Sequence, residues 1–148
     1  MRALRNRDDA GSALIELTWL GILLLVPLVY LMLSVFEVQR GAFAVSAAAR
    51  SAGRAYALAE SDSRGKADAE AAAKLALADQ GLGDAGVGVE ISCTPRPHQC
   101  HTGGSTIHVR IKSRIDLPLL PDALGGGKPS FRLDADHSVP YGQFQESS

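Results

Sequence analysis

A chain of 148 residues has room for a single domain of ordinary size. Its 15 Lys and Arg against 16 Asp and Glu give a net charge of −1, and aromatic residues make up only 5%. Nucleic acid is therefore excluded as an expected partner, because phosphate binding needs a concentrated basic face and base stacking needs aromatic platforms.

The chain starts with a short polar stretch, MRALRNRDDAG, in which Arg2, Arg5 and Arg7 are diluted by Asp8 and Asp9. An apolar run follows, LTWLGILLLVPLVYLMLSVF, from Leu17 to Phe36, with no charged residue. At 1.5 Å per residue such a helix reaches about 30 Å, the thickness of a bilayer's hydrocarbon core. A helix also satisfies its own backbone polar groups, as lipid demands. The rest of the chain is too small to wrap the run on all sides, so a membrane-spanning helix is expected over residues 12–36. Glu16 is the only charge between Ser12 and Phe36. A carboxylate carried to the centre of a membrane helix costs about 2–3 kcal/mol, so one at its edge is paired, functional or snorkelling to the interface. Arginines flank the run on both sides (Arg40, Arg50 and Arg54 follow it), leaving the orientation count near a tie. A secretory signal peptide is the rival reading, with small-residue cut sites at Ala42-Phe43-Ala44 and Ala47-Ala48-Ala49. Apolar cores of signal peptides are shorter than this one.

From Glu37 the sequence runs EVQRGAFAVSAAARSAGRAYALAE. Val38, Ala42, Val45, Ala49, Ala52, Tyr56 and Ala59 recur at spacings of four and three, a seam of mostly small residues with Arg40, Arg50 and Arg54 on the opposite face. This predicts that the helix continues over residues 37–60. A seam of small residues allows close approach but buries little area, so it needs a partner surface. That surface is either the chain's own C-terminal domain or the helices of other proteins. Gly41 and Gly53 should each weaken the helix by about 1 kcal/mol relative to Ala.

Gly11-Ser12-Ala13-Leu14-Ile15-Glu16, set before a long apolar run, resembles the processing site of type IV pilins and pseudopilins. With the short basic leader, Pro27 inside the run and the Ala-rich AAARSAGRAYA segment after it, the chain is similar to the TadE-like pseudopilins of the tight-adherence (Flp) pilus system over residues 5–60. The resemblance implies cleavage by a prepilin peptidase between Gly11 and Ser12, which would make Glu16 the fifth residue of the mature chain. It implies that Glu16 either neutralises the terminal ammonium group of a neighbouring subunit, setting register, or serves peptidase recognition. It further implies residence in the cytoplasmic (inner) membrane or at the cell surface in a pilus, with the C-terminal domain outside. The implied partners are the prepilin peptidase, sibling pseudopilins and the pilus-assembly platform, and no cofactor is implied. The alternative from a different class is a membrane-tethered or secreted binding domain unrelated to pili.

After Glu60, SDSRG breaks the helix with turn-forming residues. A second helix is expected from Lys66 to Gln80, rich in Ala and stopped by Gly81 and Gly83. Beyond it the period changes to two. Val87, Val89 and Ile91 mark one strand, and Ile107, Val109, Ile111, Ile115 and Leu117 a second, whose other face carries His108, Arg110, Lys112, Arg114 and Asp116. Phe131, Leu133, Ala135 and Val139 mark a third, after the irregular LPLLPDALGGGKPS. The expectation is an α+β fold: a long N-terminal helix, transmembrane then amphipathic, a short second helix, and a small three-stranded antiparallel sheet, with residues 61–148 forming the extracytoplasmic domain. The alternating charge on the second strand reads as a solvated sheet face.

Cys93 and Cys100 bracket a short loop stiffened by Pro95 and Pro97, and in an extracytoplasmic domain they are expected to form a disulfide. His98 and His101 lie beside them, but four ligands so close in sequence are hard to wrap around a tetrahedral zinc, so no metal is expected. Haem attachment needs C-x-x-C-H, and Pro97 stands where the first cysteine would be. The chain has no P-loop, G-x-S-x-G or H-E-x-x-H, and His108 and His137 have no nucleophile near them in sequence. An enzyme is not expected.

Overall fold

A computed structural model describes residues 8–116 and 130–142. The leader arginines Arg2, Arg5 and Arg7, Leu117 and almost all of the Pro- and Gly-rich connection after it lie outside the described residues. The chain divides into two compact units, Met1–Phe36 and Glu37–Ser148.

The helix α1, Asp8–Ala57, runs for 50 residues. Its N-terminal part is long and apolar enough to cross a membrane. Leu17, Leu23 and Leu24 are each about 70% exposed, and Trp19 is nearly as bare. Pro27 lies inside the helix, where its missing N–H forgoes one hydrogen bond. The aliphatic hydroxyl groups in the run, those of Thr18 and Ser34, are satisfied locally. Thr18 Oγ1 donates to the Leu14 carbonyl at 2.8 Å, and Ser34 Oγ to that of Tyr30 at 2.9 Å.

In the unit Glu37–Ser148, the C-terminal part of α1 packs on a sheet of order β1-β2-β3, all antiparallel. The strands are β1 (Val87–Thr94), β2 (Ser105–Asp116) and β3 (Ser130–Tyr141). In β2 every second residue, Ile107, Val109, Ile111, Ser113 and Ile115, is buried against the helix. The α+β architecture and all three strands agree with the alternation in the sequence. The core centres on Tyr56, Leu77, Ile107 and Ile111, each fully buried and each contributing about 1.5–3 kcal/mol through removal from water.

The helix seam differs from expectation. Val45, Ala49, Ala52 and Tyr56 are buried, but Ala42 is exposed, and Gly41, Ala44, Ala48 and Gly53 join the buried strip. A helix lying on a sheet buries a broad stripe, wider than the two positions per heptad of a helix-on-helix seam. The two glycines are the points of closest approach. A Cβ on Gly41 would sit 2.6 Å from Leu133 Cδ1 and 2.8 Å from Ile115 Cδ1, and one on Gly53 would sit 3.0 Å from Val139 Cγ2. What they forgo in helix propensity lets the sheet close onto the helix.

The second helix, α2, spans Asp62–Asp79 and so begins four residues before the expected Lys66. Ser61 is the reason: it is extended, and its Oγ accepts from the Arg64 N–H, capping the helix from within the segment read as a break. The first helix ends at Ala57, three residues before the expected Glu60. At the other end Gly81 has φ 74°, the Leu82 N–H donates to the Leu77 carbonyl at 2.9 Å and the Gly81 N–H to that of Ala78 at 2.8 Å. This is a Schellman stop, and glycine supplies its left-handed residue. Gly65, Ala69, Ala73 and Leu77, spaced by four, form the buried face of α2.

Candidate functional site

The residues singled out by the sequence fall in two places. Gly11 and Ser12 are in the first turns of α1, and Glu16 follows them on the same helix, exposed between the exposed side chains of Ile15 and Leu17. Cys93 at the end of β1 and Cys100 in the following loop come to disulfide distance, with Cα atoms 5.4 Å apart. Both are buried. Among the described residues Glu16 takes part in no ion pair.

The outward face of the sheet is built from pairs that join neighbouring strands. Lys112 Nζ donates to Glu90 Oε1 at 2.6 Å, and Arg110 Nε to Asp136 Oδ1 at 2.7 Å. His108 lies between Thr94 Oγ1 at 3.1 Å and Ser138 Oγ at 2.8 Å. Acids from β1 and β3 thus answer the basic residues of β2, and exposed pairs of this kind contribute little each.

The cluster that sequence reasoning missed lies where four segments meet. Tyr56 comes from the last turn of α1, Asp62 from the first turn of α2, His101 from the β1–β2 loop and Tyr141 from the end of β3. His101 Nδ1 sits 2.5 Å from Asp62 Oδ1, and His101 Nε2 lies 2.9 Å from the Tyr56 carbonyl oxygen. The Tyr56 hydroxyl donates to the same Asp62 oxygen at 3.1 Å. The imidazole stacks on the Tyr56 ring with centroids 5.1 Å apart and meets the Tyr141 ring edge-on at 5.0 Å.

The electrostatics follow from these contacts. Burial, then the Asp62 hydrogen bond and charge, push the Tyr56 hydroxyl up to about 12. Burial alone would raise Asp62, but hydrogen bonds from His101 and Tyr56, the His101 charge and the Cys100 backbone N–H hold it below the usual carboxylate range. An Asp–His pair beside a Tyr has the ingredients of acid–base chemistry. Here, however, one ring nitrogen faces a carboxylate and the other a backbone carbonyl, so neither is left to take a substrate's proton. The cluster is a fastener: it ties the α1–α2 corner to the loop that carries Cys100.

His98 is exposed in that loop, and His137 is half-buried against Gly53 of α1. No group of three His, Cys, Asp or Glu among the described residues is placed to hold a metal ion. Comparison with protein families, with curated proteins and with solved structures finds no match. The fold itself defines an α+β protein whose N-terminal helix is long and apolar enough to cross a membrane.

Proposed function

We propose that the chain is a TadE-like pseudopilin acting in assembly of a tight-adherence (Flp) pilus. In this reading it is a single-pass protein of the cytoplasmic membrane, with residues 1–11 inside and the unit Glu37–Ser148 outside. Prepilin peptidase cuts it between Gly11 and Ser12, and it works through contacts of its apolar helix with sibling pseudopilins and the assembly platform.

One observation carries the reading. A single helix leads from the Gly11–Glu16 motif through an apolar stretch whose side chains lie bare, with Glu16 among them, and on into a small α+β domain. Such a surface needs a cover, which lipid supplies before assembly and neighbouring apolar helices after it. A carboxylate at the head of that surface has a natural counterpart in the free ammonium group of a processed neighbour, an attraction that strengthens as the dielectric falls. The Cys93–Cys100 pair supports an extracytoplasmic domain, because disulfides persist in oxidising compartments.

Mass spectrometry of the mature N-terminus in membrane fractions tests this. A terminus at Ser12 is expected. An intact Met1 would mean a plain anchor, and a soluble form starting beyond Ala44 would mean a secreted domain; either overturns the reading. Glu16→Gln should stay in the membrane, because anchorage rests on the apolar run, while losing its association with sibling subunits.

A further inference from the structure

Beside the core of the unit Glu37–Ser148, α1 and β3 flank an open groove of about 670 Å³. Its helix wall is Arg50, Ser51, Arg54, Ala57 and Leu58, and its strand wall is His137 and Val139. Arg50 and Arg54 are exposed. The ion pairs among the described residues, Glu37–Arg40, Glu70–Lys74, Asp62–His101, Asp136–Arg110 and Glu90–Lys112, leave both without one, and among those residues no carboxylate lines the groove. The acids of β3 are out of play, because the side chains at 134 and 136 alternate onto the other face of the sheet. The groove is therefore basic along one wall and apolar at Ala57, Leu58 and Val139.

Its geometry selects among anions. Leu133 meets Gly41 and Val139 meets Gly53. Twelve helical residues rise about 18 Å and six strand residues about 20 Å, so α1 and β3 run side by side. β3 pairs with β2 along one edge, and no strand among the described residues pairs with the other. A free edge of this length is a template for an added strand. In an extended chain, side chains two residues apart project to one face about 6.6 Å apart. Arg50 and Arg54, one turn apart, are spaced by about 6 Å.

We propose that this groove binds an extended acidic polypeptide segment of the form Asp/Glu-x-Asp/Glu, added along the free edge of β3 with its two carboxylates on Arg50 and Arg54. Guanidinium groups suit the task because their fork donates two parallel hydrogen bonds to a carboxylate. The intervening side chain points to the other face of the extended sheet. The proposal stands on this groove alone and does not depend on the pilus reading.

The test uses the full chain in neutral detergent, with fluorescein-labelled Val-Glu-Val-Glu-Val as probe and fluorescence anisotropy as readout. Saturable binding that weakens with added salt is expected, with no binding of the Val-Lys-Val-Lys-Val control. Arg50→Gln with Arg54→Gln should weaken binding about tenfold or more, whereas Arg40→Gln should not. Methylating alternate backbone nitrogens of the probe keeps its charge and should abolish binding. Circular dichroism and melting of the double variant should match the parent, since both arginines are exposed. Absence of binding up to about 1 mM, equal binding of the lysine peptide, or indifference to the double substitution would overturn the proposal. Retained binding of the methylated probe would remove strand addition. Displacement by short-chain phosphatidylglycerol at lower concentration than by unlabelled acidic peptide would make the occupant a lipid headgroup and overturn the peptide.

Discussion

His101 reaches Asp62 across 39 positions of sequence, with its Nδ1 2.5 Å from the carboxylate oxygen, while its other nitrogen rests on the backbone of the residue that stacks against its ring, Tyr56. One side chain thus joins the end of one helix, the start of the next and the loop beside Cys100.

Removing that side chain should loosen all three. His101→Ala is expected to destabilise the unit Glu37–Ser148 by about 2–3 kcal/mol, since it deletes two hydrogen bonds, one of them to a charged group, together with the stacking contacts. Asp62→Asn should cost less, about 1 kcal/mol, because that carboxylate is 38% exposed. Denaturant unfolding followed by circular dichroism checks both. In a Cys93→Ser, Cys100→Ser background the His101→Ala effect should shrink, because the loop then no longer presents the ring; additive effects would count against the link.

The cluster also sets the pH range of stability. The carboxyl of Asp62 is held below its ordinary value of 3.8, so its contribution is present above that value and is lost as pH falls through the lower folded one. The Tyr56 hydroxyl is raised from 10.0 to about 12, so its contribution is complete below pH 10.0 and is lost as pH rises toward about 12. Ultraviolet phenolate absorbance of the folded chain should show a component with its midpoint near 12 that Tyr56→Phe removes.

Glycine substitutions should separate by position. Gly41→Leu overpacks against Leu133 and Ile115, and a loss of about 1–3 kcal/mol is expected. Gly65→Ala would bring a methyl group within 2.9 Å of the Tyr56 ring and 3.2 Å of its carbonyl oxygen, so it should destabilise despite the better helix propensity of Ala. A Cβ at Gly21 meets nothing within 4 Å, and Gly21→Ala should leave the melting of the unit Glu37–Ser148 unchanged.

Ser113 carries the one buried side-chain oxygen without a hydrogen-bond partner among the described residues. An unsatisfied hydroxyl in a core is destabilising, so Ser113→Ala should be neutral or raise stability by about 1 kcal/mol. A loss of more than that would reveal a partner for the hydroxyl.

What the sequence disclosed was what is periodic. The alternation around Ile107, Val109 and Ile111 defined β2 and its buried face, because a strand's side chains alternate regardless of context. The stop at Gly81 was equally local. The buried strip of α1 was partly misplaced, because a seam of Ala and Gly carries little contrast between faces and the sheet decides how wide a stripe it covers. The start of α2 was hidden in SDSRG, where Ser61 serves as cap and turn residue at once. Beside Cys100, His101 reads in sequence only as a metal or haem ligand, and its partners at 56 and 62 leave no short-range pattern. The available signals were a cap followed by an acid, Ser61-Asp62, and a lone tyrosine in a seam of alanines, facing something large. The arginine groove was visible only as charge on the wrong side of a helix wheel, since β3 is the last strand to arrive.

The close fit of Gly41 and Gly53 against side chains of β2 and β3 has a mechanical consequence. Two notches about 18 Å apart key the helix to the sheet as a shaft is keyed to its hub. Sliding or rolling α1 by one residue would drive Ala42 or Arg54 into the place of a glycine. A pull or twist applied to residues 37–57 is therefore carried into the strands without slippage, and the sheet follows wherever the helix is drawn.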